Sequence, residues 1–310
     1  MSERLRGIVA SLNTPFAADE ALDERGIAAL CEECATAGCA GVLVPAVAGE
    51  VGSLTTAERR RLLALVAEHG AGRLQLVAGV SATGLDASLA LAREAFVSRP
   101  AMVLWQAPSS LGAAELADSV GRLAEAAGAA VMVQDLDWQG SGLSVAAIAE
   151  AARREPALAA VKVEVVPAGP KYTALREAAP HLHLSGGWAA TQMLDGLVRG
   201  LDAFVPTGML AAYVRVFDLF AAGERDAART LFERMLPVLA FTNQHIDVSI
   251  RFWKRWRHLR GVFATDRCRA PVAPLDAVQE AEAAVMLARA SAVEEAVAGR
   301  GGSNSFGRQQ

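Results

Sequence analysis

The sequence predicts an α/β fold of the (β/α)8 barrel class with helices appended at its C-terminal end, and three observations carry that reading. Short apolar runs of strand composition alternate with alanine-rich amphipathic segments through the first two thirds of the chain. The runs number eight and lack the apolar–polar alternation of a strand with one wet face, so both faces must be covered, as in a parallel sheet wrapped by helices. From about residue 208 onward the pattern is helical throughout. Eight strand–helix units close most naturally into a barrel. A doubly wound open sheet is the alternative architecture, but no GxGxxG follows the first strand to support it.

The strand candidates are GIVASLN (7–13), GVLVPA (41–46), LQLVAGV (74–80), AMVLWQ (101–106), AVMVQD (130–135), LAAVKVE (158–164), LHLSG (182–186) and DAFVPT (202–207). Between them, stretches such as DERGIAALCEECATAG, TTAERRRLLALVAEHG and SVAAIAEAARRE repeat apolar residues at three- and four-residue spacing. Many begin at Thr, Asp or Ser and end at Gly, as capped helices do. Further helices are expected near 208–222, 224–239, 241–260 and 275–298. The chain therefore divides into a barrel over 1–222, a helical region over 223–298 and a glycine-rich polar tail, GRGGSNSFGRQQ, over 299–310 that is expected to be disordered.

With 53% hydrophobic residues and a net charge of −4 over 310 residues, the chain makes no electrostatic bid for nucleic acid. It has no run of about 18 uncharged apolar residues to cross a membrane, and MSERLRGIVASLNTPF breaks too early for a signal peptide. A cytoplasmic location is expected. Cys31, Cys34 and Cys39 cluster on one helix and turn while Cys268 stands alone, which is neither a disulfide framework nor a metal knuckle. No metal or cofactor is expected.

Lys162 interrupts the sixth apolar run, where an ammonium is costly to desolvate unless it is paired or serves chemistry. Side chains alternate along a strand, so Ala160, Lys162 and Glu164 share one face and Val161, Val163 and Val165 the other. If the valines meet the surrounding helices, Lys162 and Glu164 point into the mouth of the barrel, where such folds collect reacting groups. An amine among apolar neighbours favours its free form, which attacks a carbonyl to give a Schiff base; Glu164 can then accept or donate the proton that such a step moves. The same spacing also fits an ion pair that closes a strand without chemistry.

TPF (14–16) followed by LDERGIAAL, then GVLVPAVAGEVGSLTTAER, AAVKVE, LSGGWA and GLDAFVPTG, resembles in order and spacing the landmarks of the dihydrodipicolinate synthase and N-acetylneuraminate lyase family, up to about residue 297. The resemblance implies a (β/α)8 barrel with C-terminal helices, a small-molecule 2-oxo acid as substrate, and a homo-oligomer, often a tetramer. It places the imine-forming lysine of the sixth strand on Lys162. Two departures stand out. Ala46, Val47 and Ala48 precede Gly49 and Glu50 where the family has a glycine and then two hydroxyl residues, so the hydroxyls are absent at 47 and 48, which leaves backbone N–H groups at Ala48, Gly49 and Glu50 to hold a carboxylate. Gln134, followed by Asp135, stands where most of the family has a proton-shuttling tyrosine, and a carboxamide cannot act as acid or base.

VMVQDLDWQGSGLS with KVE downstream is similar instead to the branch that includes 2-keto-3-deoxy-L-arabonate dehydratase. There a glutamine replaces the tyrosine, and the glutamate two residues after the lysine is implicated in proton transfer. The resemblance implies dehydration of a 2-keto-3-deoxy sugar acid, with retro-aldol cleavage and a non-catalytic sugar-acid-binding barrel as alternatives. Gln134, Asp135, Ser185 and Gly186, at the ends of the fifth and seventh strands, are candidate substrate contacts, and Ser81, Trp105 and Gln106 candidate pocket walls. His181 and His183 read as structural, Lys171 and Tyr172 as the start of the helix after the lysine strand with Tyr172 on the helix surface, and RFWKRWRHLR (251–260) as an interface or solvated helix face.

Overall fold

In the computed structural model, which describes residues 5–298, the eight strands close into one parallel barrel in sequential order, with the last pairing back onto the first. The expected tail over 299–310 lies outside the described residues. The strands are β1 (Gly7–Ser11), β2 (Gly41–Val44), β3 (Gln75–Gly79), β4 (Met102–Gln106), β5 (Ala130–Asp137), β6 (Leu158–Val165), β7 (His183–Gly186) and β8 (Ala203–Phe204). The helices that come after them are α1 (Glu24–Ala37), α2 (Thr56–Gly70), α3 (Leu85–Ala95), α4 (Ala113–Ala127), α5 (Val145–Arg154), α6 (Ala168–Ala178), α7 (Met193–Val198) and α8 (Leu210–Ala221). Beyond them come α9 (Arg225–Thr242), α10 (Ile246–Leu259) and α11 (Ala277–Ala298). None of the described helices is long and apolar enough to cross a membrane.

Local chemistry sets the ends. The Asp23 carboxylate accepts from the Gly26 N–H at 2.9 Å to cap α1, which stops at Gly38 in the left-handed region (φ 84°), where a side chain would be strained. Thr55 and Glu58 form a reciprocal capping box at α2, and Ser144 caps α5. The expected eighth strand shrinks to two residues, because its continuation over 205–207 turns into the loop at the mouth. β5 and β6 run longer than expected and stay paired through Leu136↔Glu164 and Asp137↔Val165.

Because both faces of a barrel strand are covered, the buried residues separate into two cores. Inward-facing Val9, Leu43, Val77, Leu104, Met132, Ala160 and Ala203 fill the barrel. Their outward neighbours, among them Ile8, Val42, Val103, Val131, Val161 and Val163, pack against the helices. The inner filling ends at a layer of polar side chains, since Gln106, Gln134, Lys162 and Ser185 lie at one level in consecutive register. That level is the floor of the mouth.

Candidate active site

Above the polar layer opens a cavity of about 350 Å³ at the carboxyl ends of the strands. Its floor and walls include Lys162, Glu164, Gln134, Gln106, Ser81 and the loop Ala46–Ala48. The turn between α9 and α10 (residues 242–246) closes it from above, so a region that reads as an appendage supplies part of the wall.

Lys162 Nζ lies 2.5 Å from Glu164 Oε2, and Gln134 Nε2 donates to that same oxygen at 2.5 Å. The other oxygen, Oε1, accepts from the Trp188 backbone N–H at 2.8 Å. Burial pushes the Glu164 carboxyl up, but the Lys162 charge and the hydrogen bonds from Lys162, Trp188 and Gln134 outweigh it and hold the group below the usual glutamate value. Lys162 thus stands beside a carboxylate rather than among apolar neighbours.

The chain has three lysines, Lys162, Lys171 and Lys254, and each is buried against one carboxylate. Only Lys162 borders the cavity. Lys171, at the start of α6, pairs with Asp135 at 2.5 Å and donates to the Leu143 and Ser141 carbonyls, so it rivets the β5–α5 loop to α6. Tyr172, expected on the helix surface, is instead buried beside it, because the first turn of α6 packs inward on the barrel.

Lys254 belongs to the basic cluster expected at an interface or on a solvated face, and the solvated-face half of that expectation is corrected: Phe252, Trp253, Lys254, Trp256 and Arg257 are all buried. Lys254 donates to Glu50 Oε1 at 2.6 Å, and Arg257 reaches Glu33, Asn13 Oδ1 and the Thr207 carbonyl. The charges are buried because their partners come from α1 and from the β1, β2 and β8 loops on which α10 lies. Burial lowers the Lys254 ammonium below the usual lysine value, and Glu50 offsets part of that cost. Lys254 Nζ and the Arg269 guanidinium lie 4.2 and 4.1 Å from the centre of the Phe16 ring.

The remaining candidates divide by the pleat. Ala48 borders the cavity, whereas Glu50 turns away to Lys254 and the Arg269 N–H (2.8 Å) and Gly49 packs under the loop. Asn13 and Thr14 side chains hold that loop by donating to the carbonyls of Ala48 and Gly49, each at 2.6 Å. Asp135 faces outward, one residue past the inward Gln134, and Trp105 faces outward beside the inward Gln106. Ser185 faces the barrel interior with its Oγ 2.7 Å from His183 Nε2, below the cavity, and Gly186 backs onto Phe204. Of the substrate candidates, then, Ala48 and Gln134 meet Lys162 and Glu164 in one space.

Two residues that sequence reasoning passed over, Trp138 and Trp188, stand at the mouth with ring centroids 6.3 Å apart. Trp188, Ala189 and Ala190 all adopt left-handed backbone (φ 56°, 51° and 55°), a conformation that costs about 1–2 kcal/mol per non-glycine residue. The Trp188 bond to Glu164 and the bond from the Tyr213 hydroxyl to the Ala189 carbonyl (2.5 Å) hold it. Gly187 permits the approach, because a Cβ there would overlap the Glu164 side chain. Among the described residues no three His, Cys, Asp or Glu side chains gather as a metal site.

The sequence matches the Dihydrodipicolinate synthetase family over residues 4–290. The chain belongs to this family. A family relative, the L-2-keto-3-deoxyarabonate dehydratase of Azospirillum brasilense, is 25% identical over 288 residues, 90% of this chain and 92% of the relative. The 4-hydroxy-tetrahydrodipicolinate synthase of Stenotrophomonas maltophilia (strain K279a) is 27% identical over 75% of this chain and 80% of its own. The crystal structure of dihydrodipicolinate synthase from Rhodopseudomonas palustris superposes with a TM-score of 0.83 at 26% identity, covering 92% of this chain and 97% of that one.

Proposed function

We propose that the protein is a class I lyase that binds a 2-oxo acid as an imine on Lys162 and dehydrates a 2-keto-3-deoxy sugar acid. The observation that carries this reading is that Lys162, alone among three lysines, opens into the cavity, with the Glu164 carboxylate 2.5 Å from its nitrogen. Lys162 Nζ attacks C2 of the substrate, and the carbonyl oxygen leaves as water. The iminium draws electrons from the C3–H bond, and Glu164, held as the carboxylate, takes that proton. The resulting enamine expels the C4 hydroxyl, which leaves as water with the proton returned by Glu164. Hydrolysis of the imine then frees the lysine and the product.

Gln134 cannot exchange protons but can aim Glu164, onto whose Oε2 it donates. Val47 and Ala48 open a short 3-10 turn, whose first N–H groups have no partner within the turn, so they suit the substrate carboxylate that hydroxyl side chains would otherwise hold. The similarity to the Azospirillum brasilense dehydratase over 92% of that protein supports dehydration. Product analysis with a panel of 2-keto-3-deoxy pentonates and hexonates tests it. A product with the carbon skeleton intact is expected, and release of pyruvate would assign the protein to retro-aldol cleavage instead. A cytoplasmic homo-oligomer goes with this reading, its oligomeric state open to sedimentation analysis.

A further inference from the structure

Besides Lys162 and Glu164 the cavity is lined by amide and hydroxyl groups (Gln106, Thr207, Asn243, Gln244), by the indoles of Trp138 and Trp188, and by apolar side chains such as Val51, Leu136 and Ile246. Among the described lining residues the only other titratable side chain is His245, and its ring already accepts from the Asp247 N–H and lies 3.6 Å from the Asp247 carboxylate. No arginine and no second lysine is among the described residues that line the cavity.

Both indoles are held in place from behind. The loop that carries Trp138 is tied by Asp137, which accepts from Gln139 N and Gly142 N at 3.1 and 3.2 Å, and by Val166 N on the Gly140 carbonyl at 3.1 Å. Lys171 and Asp135 close its far end through the Leu143 carbonyl and N–H. Trp188 is fixed by the left-handed run 188–190, sterically disfavoured for L-residues and kept by the bonds to Glu164 and Tyr213. Yet Trp138 leaves 56% of its surface exposed, although a large apolar ring gains by burial. An aromatic pair in a cavity that amides and hydroxyls also line, with Trp138 more than half exposed, suits a ligand with both C–H faces and hydroxyl edges.

We propose that Trp138 and Trp188 are specificity residues that select a 2-oxo acid with an uncharged, polyhydroxylated tail over one that carries a second carboxylate or a phosphate at that end. The C–H faces of the tail pack on the indoles and its hydroxyls exchange water for the amide and hydroxyl groups of the wall. A terminal anion would be stripped of water against two indoles with no cation to pair it. This inference rests on the imine reading of Lys162 given above.

The test is a borohydride-trapping titration, read by mass spectrometry, on wild type, Trp138→Ala and Trp138→Phe. The probes are pyruvate, 2-keto-3-deoxypentonates of both configurations and a 2-keto-3-deoxyaldarate, which has a carboxylate at each end. In wild type a pentonate is expected to reach half-maximal trapping at a lower concentration than either pyruvate or the aldarate. In Trp138→Ala the ratio of half-maximal concentrations, pentonate over pyruvate, is expected to rise about tenfold, and Trp138→Phe to recover most of it. An aldarate trapped as readily as the pentonates, or a Trp138→Ala ratio equal to that of wild type, would overturn the inference while leaving the imine intact. Absence of any Lys162 adduct in wild type would overturn the imine reading and this inference with it.

Discussion

Replacing Glu164 with Gln removes the proposed base while keeping the shape of the side chain, and the contacts of the carboxylate determine the outcome. All three of its partners are donors: Lys162 and Gln134 on one oxygen and the Trp188 N–H on the other. A carboxamide has a single accepting oxygen, so in either orientation its NH2 meets a donor. The variant is expected to lose about 1–3 kcal/mol of stability from the unmatched bond, which lowers Tm by several degrees but leaves it folded. General-base catalysis is worth about 10²- to 10⁴-fold in rate, or about 3–5 kcal/mol of barrier. The assay is exchange of the pyruvate methyl protons in D2O, monitored by NMR, which reads C3 proton removal without knowledge of the full substrate. Exchange should fall by that factor in Glu164→Gln while borohydride still traps pyruvate on Lys162. Exchange within a few-fold of wild type in the folded variant would refute the assignment of Glu164 as base.

Three further outcomes rest on neighbouring contacts. Lys254→Met strands Glu50, whose side chain is 1% exposed, with only the Arg269 N–H; urea unfolding should show a loss of about 3–5 kcal/mol, and Lys254→Met combined with Glu50→Gln should cost less than the sum of the two single changes. Strict additivity in that cycle would contradict the pairing. Hydrogen bonding from Arg269 holds Glu58 down to about 2, so its contribution to stability is complete above pH 4.5, its usual value, and lost as the pH falls towards 2. Arg269→Met should flatten the pH dependence of unfolding in that window, and an unchanged slope would count against it. Gly187→Ala inserts a methyl group where the Glu164 side chain lies, so exchange should drop while circular dichroism stays that of wild type; wild-type exchange would show that Glu164 needs no such approach.

The barrel and its central pair were legible in the sequence because barrel strands are apolar on both faces and side chains alternate along them. That alternation put Lys162 and Glu164 on one face with no knowledge of the rest of the molecule. Applied to Gln134 and Asp135 it also separates the inward amide from the outward carboxylate, so the signal for Asp135 was present. The burial of Lys254 and Arg257 was not legible. Their partners Glu50 and Glu33 lie more than 200 residues away, and helical periodicity carries no record of contacts at that separation. Trp138 and Trp188 escaped notice for a related reason: they sit in loops, where no period governs which way a side chain points. The Trp188 bond to Glu164, at the head of a left-handed run, appears only once the chain is folded.

The central claim is the imine, and the three-lysine content makes its test direct. Wild type and Lys162→Ala are reduced with borohydride in the presence of pyruvate, digested and mapped by mass spectrometry. The account predicts one reduced adduct, on the peptide bearing Lys162, that vanishes in the variant; Lys171 and Lys254, sealed against Asp135 and Glu50, stay unmodified. Folded wild type that gains no adduct, or gains it at another lysine, would contradict the account.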